Sequence, residues 1–280
     1  MSFTPPNPPF GTYAISPTLE RLRLRAERAP RRWIASGIRR LIQRAQAEPY
    51  DVVVFGNQKA RLHPADNRAE KRVLSGTQYW DLPERTRLAQ AIAEAGDTFC
   101  FVDAGANVGM YTLSVRADAQ RAGKAVQIVA IEPDPVNAGR LRCNLAASDA
   151  VDVHHAAVAL SDSEGEVSFV SGGLENRGEA RIGEGDLTLP CRPLLSVVQD
   201  AGLPRIDAMK MDIEGYEIPV LTAFFASALP QMLPRLVIME TGRDAGGPLP
   251  ELMIRHGYHI EMQTGINTIF VLGDAAQPSE

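Results

Sequence analysis

The segment from Thr98 to Ala117 constrains this chain more than any other. A run of apolar residues, Thr98-Phe-Cys-Phe-Val102, leads straight into Asp103-Ala-Gly-Ala-Asn-Val-Gly109 and then into helical sequence, Val108 to Ala117. Gly105 permits a sharp backbone turn, and Gly109 lets helix and strand approach closely. Asn107 is one of the few residue types that accept left-handed backbone angles. Such a loop presents N–H groups and a helix N-terminus at the carboxyl end of a strand, the usual ligand crevice of open α/β sheets. The same residues could also build a tight structural turn with no ligand.

The strand–helix alternation continues downstream. Val126 to Ile131 and Val151 to His154 read as strands, the second prolonged by Ala157-Val-Ala-Leu160, with a helix from Pro135 to Ala146 between them. Glu166 to Val170 opens a hairpin that returns near Leu187 to Leu189. Helical sequence at Leu194–Ala201, Glu217–Ala226 and Leu249–His256 alternates with strands at Ile206–Met211 and Arg235–Met239. Tyr258 to Met262 and Thr268 to Leu272 form a closing antiparallel hairpin. This order predicts an α/β fold, a mostly parallel sheet covered on both faces. Gly172 to Gly185 holds five glycines and reads either as a mobile loop over an acceptor site or as an idle surface excursion.

The N-terminal part differs. Residues 1–50 read as a proline-rich arm followed by two helices split by Pro30, and 51–280 as the main domain, which begins with a hairpin (Val52–Phe55, Ala60–His63) and a helix, Glu84–Ala95. Nine of the 29 Lys and Arg residues fall between Arg21 and Arg44, which leaves 20 basic against 32 acidic residues elsewhere. That acidic body gives no reason to expect nucleic-acid binding. In the second helix Ile34, Ile38, Leu41 and Ile42 recur at helical spacing beside Trp33, with Arg39, Arg40 and Arg44 turned away. It could meet a membrane surface or a second copy of the chain, or pack its apolar stripe on its own domain. Ile218 to Leu229, the nearest approach to a membrane span, is short and closed by Pro230. The N-terminus lacks the pattern of a signal peptide. Cys100, Cys143 and Cys191 are scattered, with no C-x-x-C spacing for zinc or an iron–sulfur cluster, as expected of reduced thiols in the cytoplasm.

Two cofactor classes suit the first loop. A dinucleotide fingerprint, G-x-G-x-x-G, would fall on Gly105, Asn107 and Met110 and fails twice. S-adenosylmethionine carries an ammonium group and a sulfonium, which the carboxylate of Asp103 would attract. Glu132 closes the second strand, where it can accept hydrogen bonds from two ribose hydroxyls.

Taken together these residues resemble the FkbM family of methyltransferases. Phe101-Val-Asp-Ala-Gly-Ala-Asn-Val-Gly-Met-Tyr-Thr-Leu113 is similar to its first motif and Ala130-Ile-Glu-Pro-Asp134 to its second. Ala157-Val-Ala-Leu-Ser-Asp-Ser-Glu-Gly165 resembles the segment after its third strand. Ile206-Asp-Ala-Met-Lys-Met-Asp-Ile-Glu-Gly-Tyr-Glu217 resembles its fourth-strand signature, the most specific of the four. The likeness runs from about His63 to Leu272. Pro193-Leu194-Leu195 stands where similar proteins often have Thr-Leu-Asp, so no acidic role is carried over there. The resemblance implies a class I, Rossmann-like methyltransferase fold with a seven-stranded sheet and an antiparallel C-terminal hairpin. It also implies O-methylation of a hydroxyl on a sugar, glycolipid or polyketide-type natural product. Pro133 and Ala157 then join Asp103, Gly105, Asn107, Gly109 and Glu132 as candidate cofactor contacts.

Lys210 and Asp212 share one parity, point to one side while their strand lasts, and are both candidates for a catalytic role. Asp212, at the carboxyl end, is the first candidate for a general base, with Glu240 at the end of the fifth strand second. Glu214 and Glu217 are candidates for holding the acceptor. The alternative is a Lys210–carboxylate network that only fixes the loop. Asp212 and Glu240 could also ligate Mg²⁺, although no third ligand is evident. His154 and His155 follow the third strand, near where an adenine would lie, and histidines so placed are more often structural. Three readings stand: an O-methyltransferase, an S-adenosylmethionine-binding protein without catalysis, and an NAD-type oxidoreductase, which the failed glycine spacing disfavours.

Overall fold

The computed structural model describes residues 8–27, 31–170, 181–182, 185, 187–242 and 247–273. Two helices, α1 (Pro17–Ala26) and α2 (Arg32–Ala45), precede a hairpin of β1 (Tyr50–Val54) and β2 (Gln58–Leu62). Next come α3 (Arg68–Ser75) and α4 (Leu82–Glu94). The alternating part follows as β3 (Thr98–Ala104), α5 (Met110–Arg121), β4 (Ala125–Ile131), α6 (Pro135–Ala147) and β5 (Val153–Ala156). After it lie β6 (Ala159–Ser161), β7 (Gly165–Val170), β8 (Arg181–Ile182), β9 (Leu187–Pro193), α7 (Leu194–Asp200) and β10 (Ala208–Met211). The chain then forms α8 (Glu217–Ser227), β11 (Leu236–Glu240), α9 (Pro248–Arg255), β12 (Tyr258–Thr264) and β13 (Asn267–Leu272).

Seven strands form the central sheet in the order β12-β13-β11-β10-β3-β4-β5. β13 runs antiparallel to both of its neighbours, and β10, β11, β3, β4 and β5 run parallel. The expected Rossmann-like α/β arrangement, with its antiparallel C-terminal hairpin and helical N-terminal extension, is therefore what the chain adopts. Period-two alternation divides the core into two layers. Phe99, Phe101, Ile128, Ala130 and Ile238 face one layer, which holds α4, α5 and α6. Cys100, Val102, Val129, Ile131 and Met239 face the other, which holds α7, α8 and α9. Strands buried on both faces read as unbroken apolar runs, which is why β3 is so conspicuous in the sequence.

Two features differ from the sequence-based expectations, and one lies outside what the structure describes. Ala157 to Leu160 does not prolong the third strand: β5 stops at Ala156, and β6 belongs to a second sheet of order β6-β9-β7-β8. The expected hairpin partners β7 and β9 pair there. The glycine-rich stretch Gly172 to Gly185 lies almost wholly outside the described residues. Helix α3 was not anticipated, although Asn67 caps it by accepting a hydrogen bond from the Glu70 N–H at 3.1 Å.

The N-terminal helices pack on the rest of the chain. Ile15 and Ile42 are buried in the same cluster as Tyr50, Val52 and Leu74, and Ile38 packs against it. Within α2 the apolar stripe divides, for Ala35 and Ile42 are buried while Trp33 and Leu41 are exposed. Arg23 of α1 is fully buried and donates to Glu20, Glu27 and the Val53 carbonyl oxygen at 2.6 to 2.9 Å. Among the described residues no helix is long and apolar enough to cross a membrane.

Candidate active site

The site forms where β3, β4 and β10 end. Gly105 and Asn107 both adopt left-handed angles, with φ of 78° and 53°. The N–H groups of Gly105 and Ala106 donate to the carbonyl oxygen of Ile131 at 3.0 and 2.9 Å, tying the loop to β4. A Cβ on Gly105 would overlap the carbonyl oxygen of Asp212, so this glycine is needed for a close approach of two loops as well as for its turn. Gly109 caps α5 with φ of 86°, and its bare Cα faces Leu141 of α6. The close approach it permits is thus to a helix, where the sequence suggested a strand.

Two buried carboxyls hold this loop. Asp103 accepts hydrogen bonds from the Thr112 N–H at 3.0 Å and the Thr112 hydroxyl at 2.6 Å, both on Oδ2. Burial nonetheless pushes its carboxyl up to about 6. Glu132 accepts from the Asn107 N–H at 2.8 Å and the Asp134 N–H at 2.9 Å. Burial pushes Glu132 up to about 8, and nearby Asp134 and Asp103 add to the rise.

These residues border a cavity of about 950 Å³. Ile131, Pro133, Val158, Ala159 and Leu160 give it an apolar side. Asp103, Glu132, Lys210, Asp212 and Glu214 supply its charged groups, and Trp80, Asp81 and Tyr111 also line it. Ala157 is exposed and is not among the lining residues; the next three residues take that place. His154 and His155 lie outside the cavity too, and burial pulls the His155 imidazole down to about 4.

The turn after β10 brings the acidic cluster to the cavity. Lys210 pairs in register with Asp103 on β3, and its Nζ stands 3.2 Å from Asp212 Oδ2 and 5.6 Å from the centre of the Tyr111 ring. Tyr111 in turn donates its hydroxyl to Asp81 Oδ2 at 3.0 Å. Glu214 has a left-handed backbone, φ 57°, and lines the cavity. Glu217 is buried and lines neither this cavity nor the cleft beside it. It accepts from the N–H groups of Ile213 and Gly215 at 3.1 and 3.3 Å and so shapes the turn.

A second, open cleft adjoins the cavity and shares Trp80, Asp81, Asn107, Asp212 and Glu214 with it. Its further walls include Glu84, Glu240, Arg68, Arg72 and the turn of the C-terminal hairpin, Thr264 to Asn267. Burial and the neighbouring Asp212 raise the Glu240 carboxyl above its ordinary range. Glu84 is buried and accepts from the Asn267 side chain at 2.8 Å and from the Thr264 hydroxyl, which fastens α4 to the hairpin. Among the described residues no group of three or more His, Cys, Asp or Glu is placed to hold a metal ion. Trp80, Asp81 and Glu84 escaped the sequence analysis because they lie upstream of every recognisable motif. Tyr111 stood within the first motif, and only its contacts give it a role.

Residues 103–260, more than half of the chain, match the model of the methyltransferase FkbM domain. The AMB antimetabolite synthetase AmbE of Pseudomonas aeruginosa is 28% identical over 211 residues, a match that covers 58% of this chain and 10% of that protein. The chain thus spans about a tenth of the length of this curated relative. Among solved structures, a methyltransferase FkbM from Methylobacillus flagellatus KT is 16% identical, with a TM-score of 0.44, over 83% of this chain and 69% of that one. The METTL16 MTase domain is 12% identical, with a TM-score of 0.49, over 86% of this chain and 79% of that one.

Proposed function

The chain belongs to the FkbM methyltransferase family, and from that premise we propose that it is an S-adenosylmethionine-dependent O-methyltransferase acting on a hydroxyl of a sugar, glycolipid or natural product. The observation that carries this reading is the position of Asp212, on the wall shared by the cavity at the ends of β3 and β4 and the cleft beside it.

The cavity suits S-adenosylmethionine on three counts. Gly105 leaves the loop without a side chain where one would collide with the opposite turn. Glu132 lies at the end of β4 with lone pairs still available for ribose hydroxyls beyond its two backbone bonds. Asp103, Asp212 and Glu214 bring negative charge to a site that would take a cationic ligand. Pro133, Val158 and Leu160 would flank the adenine. When bound, this cofactor supplies an electrophilic methyl group on a sulfonium. Alignment of the acceptor is then the main task of the protein. Asp212 would accept the hydroxyl proton as the new bond forms, Lys210, 3.2 Å away, would keep the Asp212 carboxylate oriented, and Glu240 and Glu214 would orient the acceptor within the cleft. The partial match to an antimetabolite synthetase supports a natural-product acceptor.

A screen of hydroxylated acceptors with methyl-labelled cofactor tests the proposal. Label transfer to oxygen with release of S-adenosylhomocysteine is expected. Cofactor binding with no turnover on any acceptor would favour the non-catalytic binding protein.

A further inference from the structure

A separate groove lies between α2 and α3, lined by Arg32, Ser36, Arg39, Arg68, Lys71 and Arg72 together with Ser75 and Tyr79. Its origin is helical spacing. Arg32, Ser36 and Arg39 fall on one stripe of α2, and Arg68, Lys71, Arg72 and Ser75 on one stripe of α3. The two stripes face each other, so five cations line one groove, and none of the described residues lining it is acidic. This occurs in a chain whose remaining residues are strongly acidic.

Cations gathered along one groove give it a positive potential that favours an anion. Among the described residues Arg72 has a long ion pair, 3.8 Å to Asp81. The Nε–H of Arg39 is buried and has no hydrogen-bond partner among the described residues, while its Nη1 reaches Gln43 at 3.5 Å. A buried guanidinium N–H without an acceptor is costly and is the kind of group an oxyanion completes. Burial and neighbouring Arg40 also pull the Arg39 guanidinium below its ordinary range, as expected of a cation short of a counter-ion.

The groove shares no residue with the cofactor cavity, but Arg68 and Arg72 line both the groove and the acceptor cleft. We infer that the groove between α2 and α3 binds a phosphate or diphosphate group of the methyl acceptor while the acceptor's hydroxyl lies in the cleft at Asp212. This rests on the methyltransferase reading above for the identity of the acceptor, but the anion site stands on its own residues. Guanidinium forks match phosphate oxygens in pairs, and five cations suit a polyanion better than a single carboxylate.

Calorimetric titration of the full chain with inorganic pyrophosphate tests the site. Saturable binding is expected, weakened by added salt, and at least about tenfold weaker in the double variant Arg39→Gln/Lys71→Gln. Arg39→Lys, which keeps the charge, should retain most of the affinity. S-adenosylmethionine affinity measured on the same samples should be unchanged in the double variant, which shows that the variant is folded. A second arm uses phosphatidylglycerol vesicles. Sedimentation with vesicles that pyrophosphate reverses would identify a lipid headgroup as the source, and pyrophosphate binding without vesicle binding a soluble phosphorylated acceptor. In the acceptor screen, phosphorylated sugars should lose at least about tenfold in kcat/KM in the double variant. Absence of saturable pyrophosphate and vesicle binding, equal binding by the double variant, or undiminished turnover of a phosphorylated acceptor would overturn the inference. Pyrophosphate binding together with failed S-adenosylmethionine binding would instead overturn the methyltransferase reading and leave the anion site standing.

Discussion

Gly105 packs so closely beneath Asp212 that a Cβ on the glycine would overlap the carbonyl oxygen of the aspartate. The loop after β3 and the turn after β10 are thereby held as one unit, and the Asp212 N–H donates to the Ala104 carbonyl oxygen at 2.9 Å. On the proposed reading, cofactor binding and acid–base chemistry would both depend on this backbone junction.

Gly105→Ala should therefore damage both. The substituted residue would hold φ near 78° and displace the Asp212 turn. We expect a loss of about 2–4 kcal/mol in stability and at least a hundredfold loss of S-adenosylmethionine affinity, read by denaturant unfolding and calorimetry.

Asp212→Asn should separate the two functions. The cofactor cavity keeps its shape and loses one of its negative charges, so affinity should fall by no more than about tenfold, while kcat should fall by about 10²–10⁴ with loss of the base. Steady-state kinetics on any accepted substrate checks this. Unchanged kcat would remove Asp212 from the role of base.

Glu132 should make cofactor binding depend on pH. Its carboxyl is raised to about 8 in the unligated protein, chiefly by burial, whereas ribose hydroxyls donate to the ionised form. Binding then releases a proton, and affinity should rise with pH up to about 8 and level off above it, by roughly three- to tenfold between pH 7 and 8.5. Glu132→Gln should flatten the profile. Stability of the unligated protein should run the other way. A carboxyl whose folded value lies above its unfolded 4.5 contributes stability below that value and loses it as the pH rises to the folded value. Glu70, also raised to about 8 by burial, adds to the effect. His63 and His155 fall to about 4 from 6.5 and act only below pH 6.5. Between pH 6.5 and 8 the melting temperature should therefore fall, and it should fall less in Glu132→Gln.

Much of the fold was legible because β3, β4, β10 and β11 are buried on both faces and alternate with helices, a pattern that survives in sequence without tertiary knowledge. The cofactor loop was legible for a similar reason, since Gly105 and Asn107 need backbone angles that few residues accept. What was hidden depends on contacts distant in sequence. The strand β6 looks like a continuation of β5, and only its pairing with β9 shows otherwise. Glu217 looks like a substrate ligand by charge, but its carboxylate folds back on its own turn. Trp80 and Asp81 reach the cavity because α4 packs beside α5, which no local pattern encodes. The signal that could have exposed α3 was present in Asn67 followed three residues later by Glu70, a helix-start spacing.

Trp80 offers an optical test of the cavity. Of the two tryptophans, Trp33 is exposed on α2, whereas Trp80 is buried, meets the Tyr111 ring edge-on at 4.8 Å and lines the cavity. In a Trp33→Phe variant, S-adenosylmethionine should change the remaining emission with a midpoint equal to the calorimetric one. A cofactor-insensitive Trp80 signal would place the ligand elsewhere.

Arg23→Leu should show that the N-terminal helices are part of the folding unit. The substitution leaves Glu20, Glu27 and the Val53 carbonyl without their shared buried donor. A loss of about 2–4 kcal/mol in a single unfolding transition is expected. An unchanged main transition would mean that α1 folds separately.

The choice of cofactor is tested most directly by calorimetric titration of the full chain with S-adenosylmethionine and, in parallel, with NAD. One S-adenosylmethionine per chain at micromolar affinity, weakened at least about a hundredfold by Gly105→Ala, with no heat from NAD, is the predicted result. Saturable NAD binding with no response to S-adenosylmethionine would contradict the central claim.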